Sequence, residues 1–121
     1  MHSVIAIFDL GRTNKKFILF DRDYHIVEEI ATNIPDIKDE DGDDCEDLAA
    51  IFSWMKQQLQ AALDDEKYNI KAINFSSHGA SFVHLDQQGN PVTPLYDYMK
   101  PLKQEFLNDF YGLFGGKENF P

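Results

Sequence analysis

The chain opens with an apolar run, Val4-Ile5-Ala6-Ile7-Phe8, closed by Asp9. Apolar residues at consecutive rather than alternate positions predict a strand covered on both faces, in the middle of a sheet. Leu10 to Lys15 interrupts the run with the turn residues Gly11, Thr13 and Asn14, and Lys16 to Phe20 is a second apolar run that stops at Asp21-Arg22-Asp23. A third strand is expected from about His25 to Ala31, where Ile26, Val27 and Ile30 are mixed with Glu28 and Glu29, a pattern for partial exposure. Three strands joined by short turns predict an antiparallel meander. Leu48, Ile51, Phe52, Met55, Leu59, Ala62 and Leu63 then recur at spacings of three and four, one buried face of a helix over about 45–64. Asp43 or Asp44 is the expected N-cap, with Glu46 and Asp47 in the first turn, where acids favour the positive end of the helix dipole. Ile70 to Phe75 predicts another strand, Ser76-Ser77-His78-Gly79 breaks it, Ala80 to Leu85 resumes it, and Asp86 to Pro91 is a turn. Lys103 to Phe110 reads as a short helix. The order of meander, helix and strand predicts a mixed α/β layer fold, one domain's worth of chain.

Charge narrows the class of partner. Eleven basic residues against 21 acidic ones give a net charge of -10, which argues against nucleic acid, since a phosphate backbone requires a basic footprint. The acidity is local: Asp36 to Asp47 holds eight acids and one lysine, a net of -7, leaving -3 for the remainder. Within it, Asp39-Glu40-Asp41-Gly42-Asp43 lacks the sixth-position Gly and twelfth-position Glu of an EF-hand and reads as a solvated loop. The histidines show no metal-ligand spacing. A single cysteine, Cys45, excludes an intrachain disulfide, fits a reducing compartment and reads as structural. The N-terminal apolar run is too short for a signal peptide or a membrane span, so a cytoplasmic protein with no membrane partner is expected.

The segment richest in chemistry is Asp9-Leu10-Gly11-Arg12-Thr13-Asn14-Lys15-Lys16. Gly lets backbone N–H groups approach an anion closely, Thr13 and Asn14 add side-chain donors, and Lys16 or Lys15 adds positive charge. Asp9 repels a phosphate and joins such a site only across a metal ion, best Mg²⁺ through water. The segment resembles the first phosphate-binding hairpin of the actin-like ATPase superfamily, whose pattern is Asp-x-Gly-Thr-Thr or Ser followed by a basic residue. Asp9, Gly11 and Thr13 match, Lys16 stands where FGGY carbohydrate kinases often carry a basic residue, and Arg12 replaces the more usual Thr. The element order likewise matches the start of that ribonuclease H-like fold.

A second segment carries the subfamily. Ile73 to Gly79, then Phe82 to Asp86 and Gly89-Asn90-Pro91-Val92, resembles the FGGY region in which a strand ends in a polar tetrad and continues through a hairpin to a Gly-x-Pro turn. The tetrad is Gln-Met-His-Gly in xylulokinase-like members and Ser76-Ser77-His78-Gly79 here. The resemblance implies that His78, and Ser77 beside it, hydrogen-bond sugar hydroxyls. It also implies that Tyr98, or Tyr96 if the register slips, supplies the aromatic wall. A sugar needs in-plane donors and acceptors plus an aromatic surface for its C–H face, and these residue types provide both.

Taken together, the resemblance implies an N-terminal fragment of a kinase that transfers the γ-phosphoryl of ATP to a hydroxyl of a small sugar or polyol. Asp9 would hold Mg²⁺ through water, and Gly11, Arg12, Thr13, Asn14 and Lys16 would cradle the nucleotide phosphates. The expected general-base Asp and the adenosine pocket lie beyond residue 121. Residues 1–121 are therefore read as an incomplete, inactive first part of the kinase's N-terminal domain, with a homodimer open for the full-length protein. Two other readings stay open: a non-catalytic scaffold, and an actin-like ATPase with a non-sugar substrate.

Overall fold

The computed structural model describes residues 1–120. Strands β1 (His2–Leu10), β2 (Lys15–Phe20) and β3 (Ile26–Thr32) form the expected antiparallel meander. Two short pairs of residues, β4 (Ile37–Lys38) and β5 (Asp44–Cys45), zip the acidic loop into a small hairpin. Helix α1 (Leu48–Asp64) crosses one face, and β6 (Tyr68–Ser77) returns parallel to β1, completing a sheet of order β3-β2-β1-β6. Beyond it, β7 (Ser81–Phe82) pairs with β8 (Tyr96–Asp97), and α2 (Gln104–Phe114) follows.

The core lies between the sheet and α1. Val4, Ala6 and Phe8 alternate along β1 and meet Phe17 and Leu19 of β2, all buried, with Ala62 of the helix closing over them. Phe8 is the centre of this layer: its ring stacks on Phe75 at 5.7 Å, tilts against Phe17 at 4.9 Å and takes Trp54 edge-on at 6.2 Å. Burying one such aromatic side chain contributes roughly 1.5–3 kcal/mol. The continuous apolar run of β1 predicted cover on both faces, but Ile5 and Ile7, which point away from α1, remain only half-buried.

Two features of the helix differ from expectation. Its N-cap is Asp47, whose Oδ1 accepts the Ala50 N–H at 3.0 Å. Asp43 and Asp44 do not cap because Asp44 and Cys45 are drawn into pairing with Lys38 and Ile37, so the helical turn starts only afterwards. Glu46 therefore stands before the cap and is buried, outside the first turn. The buried stripe runs through Ile51, Trp54, Met55, Leu59 and Ala62, whereas Phe52 and Leu63 sit on its flanks and are exposed.

Candidate active site

Strand pairing decides which side chains share a face, because directly opposed residues point to the same side of a sheet. At one end of the sheet Asp9 lies opposite Lys16 on β2 and Ser76 on β6. One residue on, Leu10 lies opposite Lys15 and Ser77. The strand ends therefore carry two rows: Asp9, Lys16 and Ser76 on the open face, and Leu10, Lys15 and Ser77 on the face that packs against α1.

The turn from Gly11 to Asn14 joins the first two strands. A Cβ on Gly11 would lie 2.8 Å from the Asn14 carbonyl oxygen, so only glycine fits this closed turn without moving backbone. Thr13 and Asn14 are exposed at its tip. Lys16 is half-buried and leans to Glu29 at 3.5 Å rather than to Asp9, which leaves the Asp9 carboxylate half-buried at the strand end.

Arg12, expected in the phosphate cradle, has its guanidinium engaged by two carboxylates. Its two terminal nitrogens donate to the Asp36 carboxylate at 3.0 and 2.9 Å, and its Nε lies 2.6 Å from the buried Asp97 Oδ2. The Nε–Oδ2 contact is coulombic, for neither atom finds an aligned hydrogen-bond partner. The fork of the guanidinium matches a carboxylate bidentately, and here it ties the turn to the acidic loop and to β8. Asp36 holds the Arg12 pKa above its ordinary value, and Arg12 in turn depresses that of Asp36.

Lys15 and Lys16 have distinct places. Lys15 is buried, and its ammonium donates to the carbonyls of Gly11 (2.7 Å) and Arg12 (3.0 Å) and to Glu46 Oε1 (2.5 Å). All three of its protons are thereby used inside the protein. The other oxygen of Glu46 faces His78 Nε2 at 3.0 Å. His78 leaves β6 directly beside the turn, its backbone N–H bonded to the Leu10 carbonyl at 3.2 Å. Its Nδ1 lies 3.2 Å from the Gly79 carbonyl oxygen, and Ser77 Oγ donates to the His78 carbonyl at 3.3 Å. Tyr98 sets its exposed ring edge-on to His78 at 6.1 Å. Tyr96 turns the other way, its phenol bonded to Glu40, and that bond raises its pKa to about 12. An open, mostly apolar cavity of about 440 Å³ adjoins this end of the sheet on the helix side, with Lys15, Glu46, Ser77 and His78 among its polar walls and Leu10, Phe75 and Phe82 among its apolar ones.

The acidic loop is more ordered than a solvated loop. Asp39, Asp41 and Asp43 converge on the Lys100 ammonium at 2.6, 2.8 and 2.9 Å, and Asp39 also accepts the backbone N–H groups of Asp41 and Asp43. The three carboxylates lie close enough together to ligate a cation, and the lysine fills that place. Glu46 and Lys100 were missed as structural centres from sequence. The acids around Glu46 look alike there, and Lys100 lies 57 to 61 residues from its partners.

The fold is shared with solved kinases. The gluconate kinase of Lactobacillus acidophilus superposes with a TM-score of 0.75 at 21% identity, covering 98% of this chain and 24% of its own. The xylulose kinase of the same organism gives 0.74 at 22% identity over 96% and 24%. Plasmodium falciparum glycerol kinase gives 0.71 at 18% identity over 92% and 23%. The chain thus spans about a quarter of the length of these proteins, and at such identities the likeness establishes the fold, the expected actin-like, ribonuclease H-like arrangement. No curated protein matches the sequence. The N-terminal domain of the FGGY family of carbohydrate kinases matches residues 4–101, over four-fifths of the chain, and the chain belongs to that family.

Proposed function

We propose that the chain is the first part of the N-terminal domain of a kinase that transfers the γ-phosphoryl of ATP to a hydroxyl of a small sugar or polyol, such as xylulose, rhamnulose, fuculose or glycerol. One observation carries the reading. In-register pairing of β1 with β6 brings the Asp9 turn and the Ser77-His78 strand end side by side, with His78 bonded to the Leu10 carbonyl. Groups suited to a nucleotide phosphate and groups suited to a hydroxyl thus meet at one end of one sheet.

Each residue then has a role its surroundings permit. Gly11, Thr13 and Asn14 present backbone and side-chain donors from an exposed turn, and Lys16 adds a cation at its base. Asp9, a single half-buried carboxylate, fits a Mg²⁺ ion that keeps most of its waters. When bound, that ion would offset charge on the transferring phosphoryl group. Ser77 and His78 offer hydrogen bonds to sugar hydroxyls, and the exposed Tyr98 ring offers an apolar wall. Arg12 serves as a brace rather than a phosphate ligand in this reading, which its engagement by Asp36 and Asp97 supports. Catalysis here is mostly positioning and charge neutralisation, and the general base belongs to a later segment of the kinase.

The test is an assay of ATP-dependent phosphorylation by the full-length kinase across ketoses and polyols. One sugar is expected to be turned over, with His78→Ala raising its KM or changing the preference. ATP binding with no sugar phosphorylated would move the search to a non-sugar substrate or a scaffold role.

A further inference from the structure

Glu46 is a buried acid beside His78, and the reading above gives it no task. Its side chain is only 4% exposed, yet both oxygens are engaged, one by Lys15 and one by His78. Its backbone is fixed as well: it stands directly before the Asp47 cap of α1 and forms an isolated antiparallel bridge with Leu95. The carboxylate is therefore a rigid acceptor, held from the helix on one side and from the segment before β8 on the other. A buried carboxylate left unpaired is costly, and the Lys15 ammonium offsets its charge. Lys15 is anchored in turn on the Gly11 and Arg12 carbonyls. An unbroken chain of charged hydrogen bonds thus runs from the phosphate turn through Lys15 and Glu46 to His78.

We propose that Glu46 is a positioning residue that fixes the ring of His78 and the nitrogen it offers to the sugar, and that Lys15 ties this setting to the phosphate turn. A carboxylate only accepts, so the ring nitrogen facing it must carry a proton. With Nε2–H committed to Glu46, the ring cannot flip; in the neutral ring Nδ1 is a bare acceptor, the Gly79 carbonyl oxygen 3.2 Å away offers it no proton, and Nδ1 is the nitrogen left to accept from a sugar hydroxyl beside Tyr98. The inference rests on the sugar-kinase reading for its function, but the link between Glu46 and His78 stands or falls by itself.

Two measurements separate these levels. The first follows the histidine ring nitrogens of the unaltered chain by ¹⁵N NMR, with His78→Ala to identify the His78 signals. A proton on Nε2 is expected. A bare Nε2 with the proton on Nδ1 overturns the proposal. The second uses Lys15→Met with Glu46→Met, which removes the acceptor while leaving no unpaired charge in the interior. In the full-length kinase this pair of changes is expected to raise the sugar KM by roughly tenfold to a hundredfold, the effect of a mispositioned group, and by clearly more than it raises the KM for ATP, while the circular dichroism spectrum stays near its original form. Equal losses for both substrates would make the network merely structural and overturn the positioning role. A wild-type kinase that phosphorylates no sugar overturns the kinase reading, and the sugar role with it, while the NMR result still decides whether Glu46 orients His78.

Discussion

Arg12 sits in a turn suited to phosphate, yet its guanidinium is engaged by Asp36 on one side and the buried Asp97 on the other. Arg12→Ala should therefore cost stability, roughly 3 kcal/mol since it strands a buried carboxylate, as read by urea unfolding, and should leave the KM for ATP largely unchanged in the full-length kinase. The pH dependence follows from the same pair. Arg12 depresses the Asp36 pKa, so the stabilisation is present above the ordinary carboxylate range, near 4, and is lost as pH falls through the folded-state value. Thermal unfolding below about pH 4 should be steeper in the unaltered chain than in Arg12→Ala. The turn that carries Asp9, Gly11 and Thr13 was legible in the sequence because a connection between two adjacent strands is a local pattern. The partners of Arg12 were not, for Asp36 is 24 residues away and Asp97 further still. Nor was Glu46, whose partners Lys15 and His78 lie 31 and 32 residues away.

Among elements, the meander and α1 were readable because their apolar periods, continuous in the strands and three-or-four in the helix, are set by few competing forces. The helix start was not, since the run from Asp43 to Asp47 offers several acids and the choice falls to the β4–β5 pairing. Within the sheet Phe8 joins β2, β6 and α1, and Phe8→Ala should destabilise the chain by roughly 3–5 kcal/mol through loss of contacts and a residual cavity, measured by urea unfolding. The acidic loop behaves as an element only because Lys100 fills it. Its ammonium depresses the Asp39 and Asp41 pKa values and is itself held protonated beyond its usual range. The carboxylate contribution is lost as pH falls below about 4, and the lysine contribution as pH rises beyond about 10. Lys100→Met should lower the melting temperature between those limits and speed amide exchange at residues 39–43, because three carboxylates would then repel one another. An unchanged melting temperature and unchanged exchange would show that the clasp contributes nothing.

For the molecule as a whole, the family likeness carries across residues 4–101, while α2 beyond it exposes Phe106, Phe110, Leu113 and Phe114. No helix among the described residues is long and apolar enough to cross a membrane. The proposed division of labour gives this chain phosphate and sugar contacts but no general base, so the 121-residue chain is expected to show no ketose or polyol turnover with ATP. Measurable turnover would mean that the missing chemistry lies within it. The central claim is that the Asp9 turn serves the phosphoryl group in a sugar kinase. Its most direct test is the rate of sugar phosphorylation by the full-length kinase carrying Asp9→Ala, with folding checked by circular dichroism. The account predicts that phosphoryl transfer is abolished in a folded protein. A folded Asp9→Ala kinase that retains its original kcat would contradict it.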